Sequence, residues 1–262
     1  MPVDGALPAR LIERFAQGQA PRAIERTTIV EAAVAIEING LAYAVMMATP
    51  ADFDDFALGF CLSEQLIETP EQFESSEASE LTRGWLLRVA LTSDCAAPLV
   101  ERARLRLTEG SCGLCGIESL DQVLRPLPRV TTVFDVSDAA LFAAGAALRD
   151  RQPLGLATGA AHAAAFCRAD GTIVTVREDV GRHNAFDKLI GALARDGTIP
   201  AQGFVLLSAR CSFELVQKAV LAGVPVLATV SAASTLALDA AREHGLRLVS
   251  LLRNDSFLDQ PA

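Results

Sequence analysis

The sequence has no long apolar run. Charges and turn residues interrupt its alanine-rich segments before any stretch reaches the roughly 18 residues that a membrane helix requires. Residues 1–26 mix charges, Pro and Gly and contain no hydrophobic segment of the secretory type. Basic residues are also short: 23 Lys and Arg stand against 32 Asp and Glu. The resulting net charge of −9 argues against general binding to a phosphate backbone, but leaves room for a local basic pocket around one anionic ligand. Six cysteines without an export segment do not suggest a disulfide framework. These deficits predict a cytoplasmic protein with no membrane insertion and no nucleic-acid partner.

Several chemical signatures are missing too. There is no G-x-x-x-x-G-K-[ST] and no strand-linked G-x-G-x-x-G, so neither a P-loop nor a Rossmann fingerprint is present. Zinc deaminases need H-x-E and a later P-C-x-x-C. Neither His162 nor His183 has Glu two residues on, and the single C-x-x-C precedes both and lacks the Pro. Deaminase catalysis is therefore not expected. No internal repeat or low-complexity linker breaks the chain.

What remains is globular: 262 residues, 51% hydrophobic and 21% charged, enough for one large domain or two modest ones. Weak patterning over residues 1–25 predicts a poorly fixed arm. Apolar segments flanking Asn39-Gly40 predict a β-hairpin, because that pair tolerates positive φ at both turn positions. A helix is expected next, with Thr49 as N-cap, Pro50 in the first turn, and Phe53, Phe56, Ala57, Phe60 and Cys61 on one stripe. An acidic loop over 69–80 and strands over 85–91 and 102–107 complete a small α+β domain spanning 26–108.

The second half changes rhythm. A helix over 138–149, capped by Ser137, leads to a hairpin with strands at 163–167 and 172–176. Helices near 184–194, 213–222 and 235–243 then alternate with strands at 204–208, 225–230 and 246–251. This order predicts an α/β domain over 125–262 with a mostly parallel sheet and helices on its faces.

Between the halves, in a segment expected to form a loop and short helix over 109–124, lies Gly110-Ser111-Cys112-Gly113-Leu114-Cys115-Gly116. Glycines around two close thiols give a flexible turn, and a following helix N-terminus would favour the thiolate. The spacing alone leaves zinc binding, dithiol redox chemistry and persulfide carriage open. Zinc would require two more ligands, from a second copy or from His162 and His183. Cys61, Cys95, Cys167 and Cys211 read as packing residues.

Sheets of this kind bind ligands beyond the carboxyl ends of their strands, where helix N-termini offer amide donors. Ser208-Ala209-Arg210-Cys211-Ser212, Ser231 to Ser234 and Arg253-Asn254 each follow a predicted strand, and Arg210 and Arg253 add forked cationic donors. Ser212 and Ser234 are equally suited to plain helix capping. The polar run from Arg177 to Asn184, with Arg182 and His183, reads as part of the same site. His162 is as suited to a structural role as to a site.

Together these residues resemble the FdhD family of formate dehydrogenase accessory sulfurtransferases along nearly the whole chain. The resemblance rests on Leu58-Gly59-Phe60, Cys112-Gly113-Leu114-Cys115-Gly116, Glu178 to Ala185 with Asp187-Lys188, and Ser208-x-Arg210 with Ser212, Glu214 and Lys218. It implies a three-layer, cytidine deaminase-like αβα domain and a homodimer. It also implies sulfur transfer from a cysteine desulfurase to the molybdenum bis-molybdopterin guanine dinucleotide cofactor, for delivery to the formate dehydrogenase catalytic subunit. Cys112 matches the family's persulfide cysteine and Cys115 its partner. Leu251, Leu252, Arg253, Asn254, Asp255 and Ser256 match the segment that binds the cofactor's nucleotide, where a GDP-like molecule is also expected. No tightly bound metal of its own is expected. A non-catalytic cofactor chaperone with structural or zinc-bound thiols is the alternative. The chain departs from the family at Ala160, Ala209, Ala232-Ala233 and in the tail after Arg253, all in the expected pocket.

Overall fold

The computed structural model describes residues 3–16, 19–95 and 126–262. The predicted strand at 102–107 and the Cys112–Cys115 segment, with its short helix, lie outside them.

The arm expected over residues 1–25 is replaced by a two-stranded ribbon. β1 (Ala6–Glu13) pairs antiparallel with β2 (Arg22–Ile29) in an unbroken register. Long-range anchoring supplies what local patterning does not. Val30 N–H donates to the Gly5 carbonyl at 2.7 Å, and Arg22 meets Glu13 at 2.6 Å. Gly5, at φ +79°, also lies so close to the Thr49 methyl that no side chain fits there.

β3 (Ala32–Ile38) and β4 (Leu41–Ala48) form the predicted hairpin, with Asn39 and Gly40 at φ 49° and 79°. β6 (Gly84–Leu91) pairs parallel with β3 and antiparallel with β5 (Phe73–Leu81), giving the order β4-β3-β6-β5. Most of the expected acidic loop is thus an edge strand. Glu74, Glu77 and Glu80 stay solvated on this strand, and such a charged edge resists further pairing. Val34, Ile36, Ile38, Leu87 and Val89 pack one sheet face against α1 (Phe53–Ser63) through Phe56 and Phe60.

The larger unit is a six-stranded sheet of order β12-β11-β10-β9-β7-β8. Its strands are β7 (His162–Cys167), β8 (Ile173–Asp179), β9 (Phe204–Leu207), β10 (Val226–Thr229), β11 (Arg247–Ser250) and β12 (Leu258–Gln260). The sheet is more mixed than its alternating pattern predicts. β9, β10 and β11 are parallel neighbours, whereas β7 runs against β8 and β9, and β12 against β11. The short final strand carries no hydrophobic alternation to announce it.

Period-2 alternation divides two cores. Ala164, Phe166, Val205, Leu207, Leu227 and Leu248 meet α4 (Arg182–Arg195), α5 (Phe213–Leu221) and α6 (Thr235–Glu243). Ala163, Ala165, Phe204, Leu206, Ala228 and Val249 face α2 (Asp138–Leu148), whose N-cap Ser137 accepts from Ala140 N–H as expected. The result is three layers, αβα. A short helix missed by pattern, α3 (Pro153–Thr158), has its first amides held by Glu178, which accepts from Leu154 and Gly155 N–H at 2.8 Å each.

α1 packs on the outer side of α4 and joins the two units. Gly59 and Gly191 make this approach possible: a Cβ on Gly59 would overlap the Asp187 carbonyl, and one on Gly191 the Asp55 carbonyl. At the rim, Asp55 bridges Arg177 and Arg195, each at 2.7 Å. α4 is accordingly buried on nearly all sides from Asn184 to Leu193.

Candidate functional site at the sheet edge

The polar run Glu178 to Lys188 divides between two jobs. Asp179 and Lys188 are fully buried and 2.7 Å apart. Asp179 also accepts from Gly181 N–H (2.8 Å), Asn184 Nδ2 (3.0 Å) and Thr49 N–H (3.0 Å). Thr49 is therefore not the N-cap of α1, a position held by Asp52 in the left-handed region at φ 53°. Its hydroxyl accepts from Val180 N–H at 3.1 Å and its carbonyl from Lys188 Nζ at 3.0 Å. Asn184 Nδ2 reaches the Met47 carbonyl at 2.8 Å. Lys218 on α5 pairs with buried Asp187 at 2.6 Å. These side chains lock the β3–β4 unit onto α4, so part of a run that reads as a binding loop is internal scaffold. The sequence carries a signal for this: Asp187-Lys188 interrupts the apolar stretch from Ala185 to Ala194, where a charge requires an internal partner.

Arg182 and His183 have the other job. They open α4 just beyond the C-terminal end of β8, and both are half-buried. His162 begins antiparallel β7 directly opposite Asp179, which puts it at the same sheet edge. Arg210, exposed, follows β9. Burial first, then the Arg182 and Arg210 charges, hold the His162 pKa below the usual range. Burial, Arg182 and Lys218 push His183 down to about 4, against the opposing pull of Glu214, whose carboxylate lies 3.9 Å from Nε2. His183 Nε2 and Arg182 Nε are buried without a hydrogen-bond partner among the described residues.

The other predicted residues line the same edge in differing ways. Ser208 Oγ accepts from Ala163 N–H at 2.8 Å and serves the sheet. Ser234 caps α6, accepting from Ala237 N–H, whereas Ser212 starts α5 without a side-chain cap bond. The loops are knitted together: Cys211 N–H donates to Ala232 O, Ser234 N–H to Cys211 O, and Leu251 N–H to Ser231 O. Leu251 holds φ 52°, a left-handed conformation uncommon for a leucine. Leu252 is not available to a ligand; it is buried against Gly145 in the α2-side core. Arg253, Asn254, Asp255 and Ser256 are exposed in a turn closed by Arg253 N–H donating to Ser256 O at 2.9 Å. Beside this turn an open cleft of about 670 Å³ runs between α6 and the C-terminal strand, lined by Ala233, Leu238, Arg242, Ser250, Leu251 and Leu258.

Cys112 and Cys115 lie outside the described residues. The other four thiols are buried, and burial pushes Cys167 and Cys211 up to about 12 and Cys61 higher. Among the described residues, no cluster of three or more His, Cys, Asp or Glu is placed to hold a metal ion. No described helix is long and apolar enough to cross a membrane.

Fold and sheet edge together define a mixed α/β protein with a cation- and amide-lined ridge where strands end, joined to a small α+β unit. The family model for the FdhD/NarQ family matches residues 29–258, and the chain belongs to that family. Similar curated proteins are named sulfur carrier protein FdhD. That of Bordetella petrii is 45% identical over 224 residues, covering 86% of this chain and 81% of its own. That of Xanthomonas campestris pv. campestris is 40% identical over 253 residues, covering 97% and 90%. The crystal structure of a protein from Desulfotalea psychrophila, described as a formate dehydrogenase accessory protein, superposes with a TM-score of 0.78 at 19% identity over 98% of both chains. It shares the fold.

Proposed function

We propose that this chain carries sulfur as a persulfide on Cys112 and delivers it to the molybdenum bis-guanine dinucleotide cofactor for formate dehydrogenase. The observation that carries the reading is family membership, with relatives at 40–45% identity named as sulfur carriers. The thiol inventory supports it. Four cysteines are buried in packed positions, and burial strongly disfavours the thiolate of Cys61, Cys167 and Cys211, which leaves Cys112 and Cys115 for chemistry.

In this scheme the Cys112 thiolate attacks the outer sulfur of a cysteine desulfurase persulfide, and the desulfurase thiolate leaves. For release, the Cys115 thiolate attacks Cys112 Sγ. The outer sulfur departs as hydrosulfide, and the two cysteines are oxidised to a disulfide that an external thiol must reduce. The ridge from Arg182 and His183 to Arg253 holds the cofactor, with the nucleotide end near residues 251–256. The reading places the protein in the cytoplasm as a homodimer that meets the desulfurase and the formate dehydrogenase catalytic subunit in turn.

The test is the intact mass of the protein after incubation with a cysteine desulfurase and cysteine, beside Cys112→Ala. A reductant-sensitive gain of one sulfur atom in the wild type alone is expected. No gain in the wild type would overturn the relay in favour of a cofactor chaperone.

A further inference from the structure

The cluster on the β8–β9 side of the ridge contains one group of the wrong sign for an anion site. Arg182 and His183 come from the start of α4, His162 from β7 and Arg210 from the loop after β9. Into this gathering of nitrogen donors α5 projects Glu214, whose carboxylate oxygen is 3.9 Å from His183 Nε2, too long for a hydrogen bond. Among the described residues, Arg182 Nε and His183 Nε2 stay buried and unbonded although a carboxylate is near. The carboxylate is steadied by Ser212 and its own backbone amide, so it balances the charge of the site without satisfying these two nitrogens.

Resting on the reading above, we infer that His162, Arg182, His183 and Arg210 form a seat for a phosphate or diphosphate group of the ligand, and that Glu214 is the resident anion it must displace. A bound phosphate offers several strong acceptor oxygens to the two forked guanidinium groups and the imidazole nitrogens. Glu214 offers a single carboxylate at a distance. Because Glu214 is one-third exposed, it can turn toward solvent when displaced. The consequence is selectivity: one carboxylate in the seat opposes weakly charged anions such as chloride or acetate, while a polyphosphate with more charge and more acceptors overcomes it. Glu214 is thus a specificity-determining residue, and His162, equally suited by sequence to a structural role or a site, is a wall of the seat.

The experiment is isothermal titration of the full-length protein with inorganic pyrophosphate and, separately, with GDP. It compares wild type, Glu214→Gln and Arg210→Gln, each first shown to share the wild-type thermal midpoint. Removing the like charge should tighten pyrophosphate and GDP binding about tenfold in Glu214→Gln, and losing the exposed cation should weaken both by about as much in Arg210→Gln. Unchanged or weaker binding in Glu214→Gln would overturn the proposal, because Glu214 would then be neutral to the ligand or hold one of its donor groups. Absence of pyrophosphate binding in both wild type and Glu214→Gln would overturn it equally. The persulfide reading fails on a separate readout, the mass of the wild-type chain, so the two failures are distinguishable.

Discussion

Lys188 Nζ lies 2.7 Å from Asp179 Oδ2, and neither side chain has any exposure to solvent. The pair joins the end of β8 to the middle of α4, and through Thr49 it ties both to the smaller unit. Breaking a buried pair from one side leaves an uncompensated charge, which commonly costs about 3–5 kcal/mol. Asp179 would keep three donors after loss of the ammonium, so Lys188→Met should destabilise the protein by about 3 kcal/mol, at the lower end of that range. Asp179→Asn should cost less in the Lys188→Met background than in the wild type, because the two changes share one interaction. Urea unfolding of the two single variants and the double variant measures the coupling. Full additivity would mean that the pair contributes nothing beyond its separate hydrogen bonds.

That relationship also shows where sequence reading stops. Asn39-Gly40 and Ser137 were legible because a turn and a cap are decided by a few adjacent residues. The helices and central strands of the larger unit were legible from their periods. Thr49 was misread because its partners, Asp179, Val180 and Lys188, lie some 130 residues away, and nothing local separates a cap from a tertiary clasp. The same holds for residues 6–29, whose pairing depends on anchorage at Gly5 and Val30. Within the run from Glu178 to Lys188, the residue types pointed to a site, but burial alone decides that Arg182 and His183 face the edge while Asp179, Asn184 and Lys188 do not. Leu252 shares a polar turn with exposed Arg253 to Ser256, and nothing local announces that its side chain turns into the core.

Gly59 and Gly191 face each other across the α1–α4 contact, where each backbone occupies the space of the other's side chain. In an isolated helix, Gly→Ala would stabilise by up to about 1 kcal/mol. Here overlap with a carbonyl oxygen forces the helices apart, and overpacking of this kind costs about 1–3 kcal/mol or more. Gly191→Ala and Gly59→Ala should each lower the thermal midpoint, by several degrees for each kcal/mol lost, on the order of 2–4 °C at this chain length. Differential scanning fluorimetry provides the measurement. A raised midpoint in either variant would mean that helix propensity outweighs the contact.

His183 couples the site to stability through its proton. Burial, then Arg182 and Lys218, hold its folded pKa at about 4, with His162 acting in the same direction and Glu214 against them. In the unfolded chain the imidazole titrates near 6.5. Between those values the unfolded state binds a proton that the folded state refuses. The contribution of His183 is therefore complete above about pH 6.5, shrinks as pH falls through the window, and levels off below about 4. Side-chain exposure of 31% moderates the effect, so the loss between pH 7 and pH 5 should be about 1 kcal/mol. Burial also raises the carboxyl pKa values of Glu178 and Asp187, so His183 is not the sole source of pH dependence. The measurement is therefore a difference: urea unfolding at pH 7 and pH 5 for wild type and His183→Gln. Wild type should lose about 1 kcal/mol more than the variant on acidification. Equal losses would mean that His183 is protonated as easily in the folded protein as in water, and that the seat beside Arg182 is far wetter than its burial indicates.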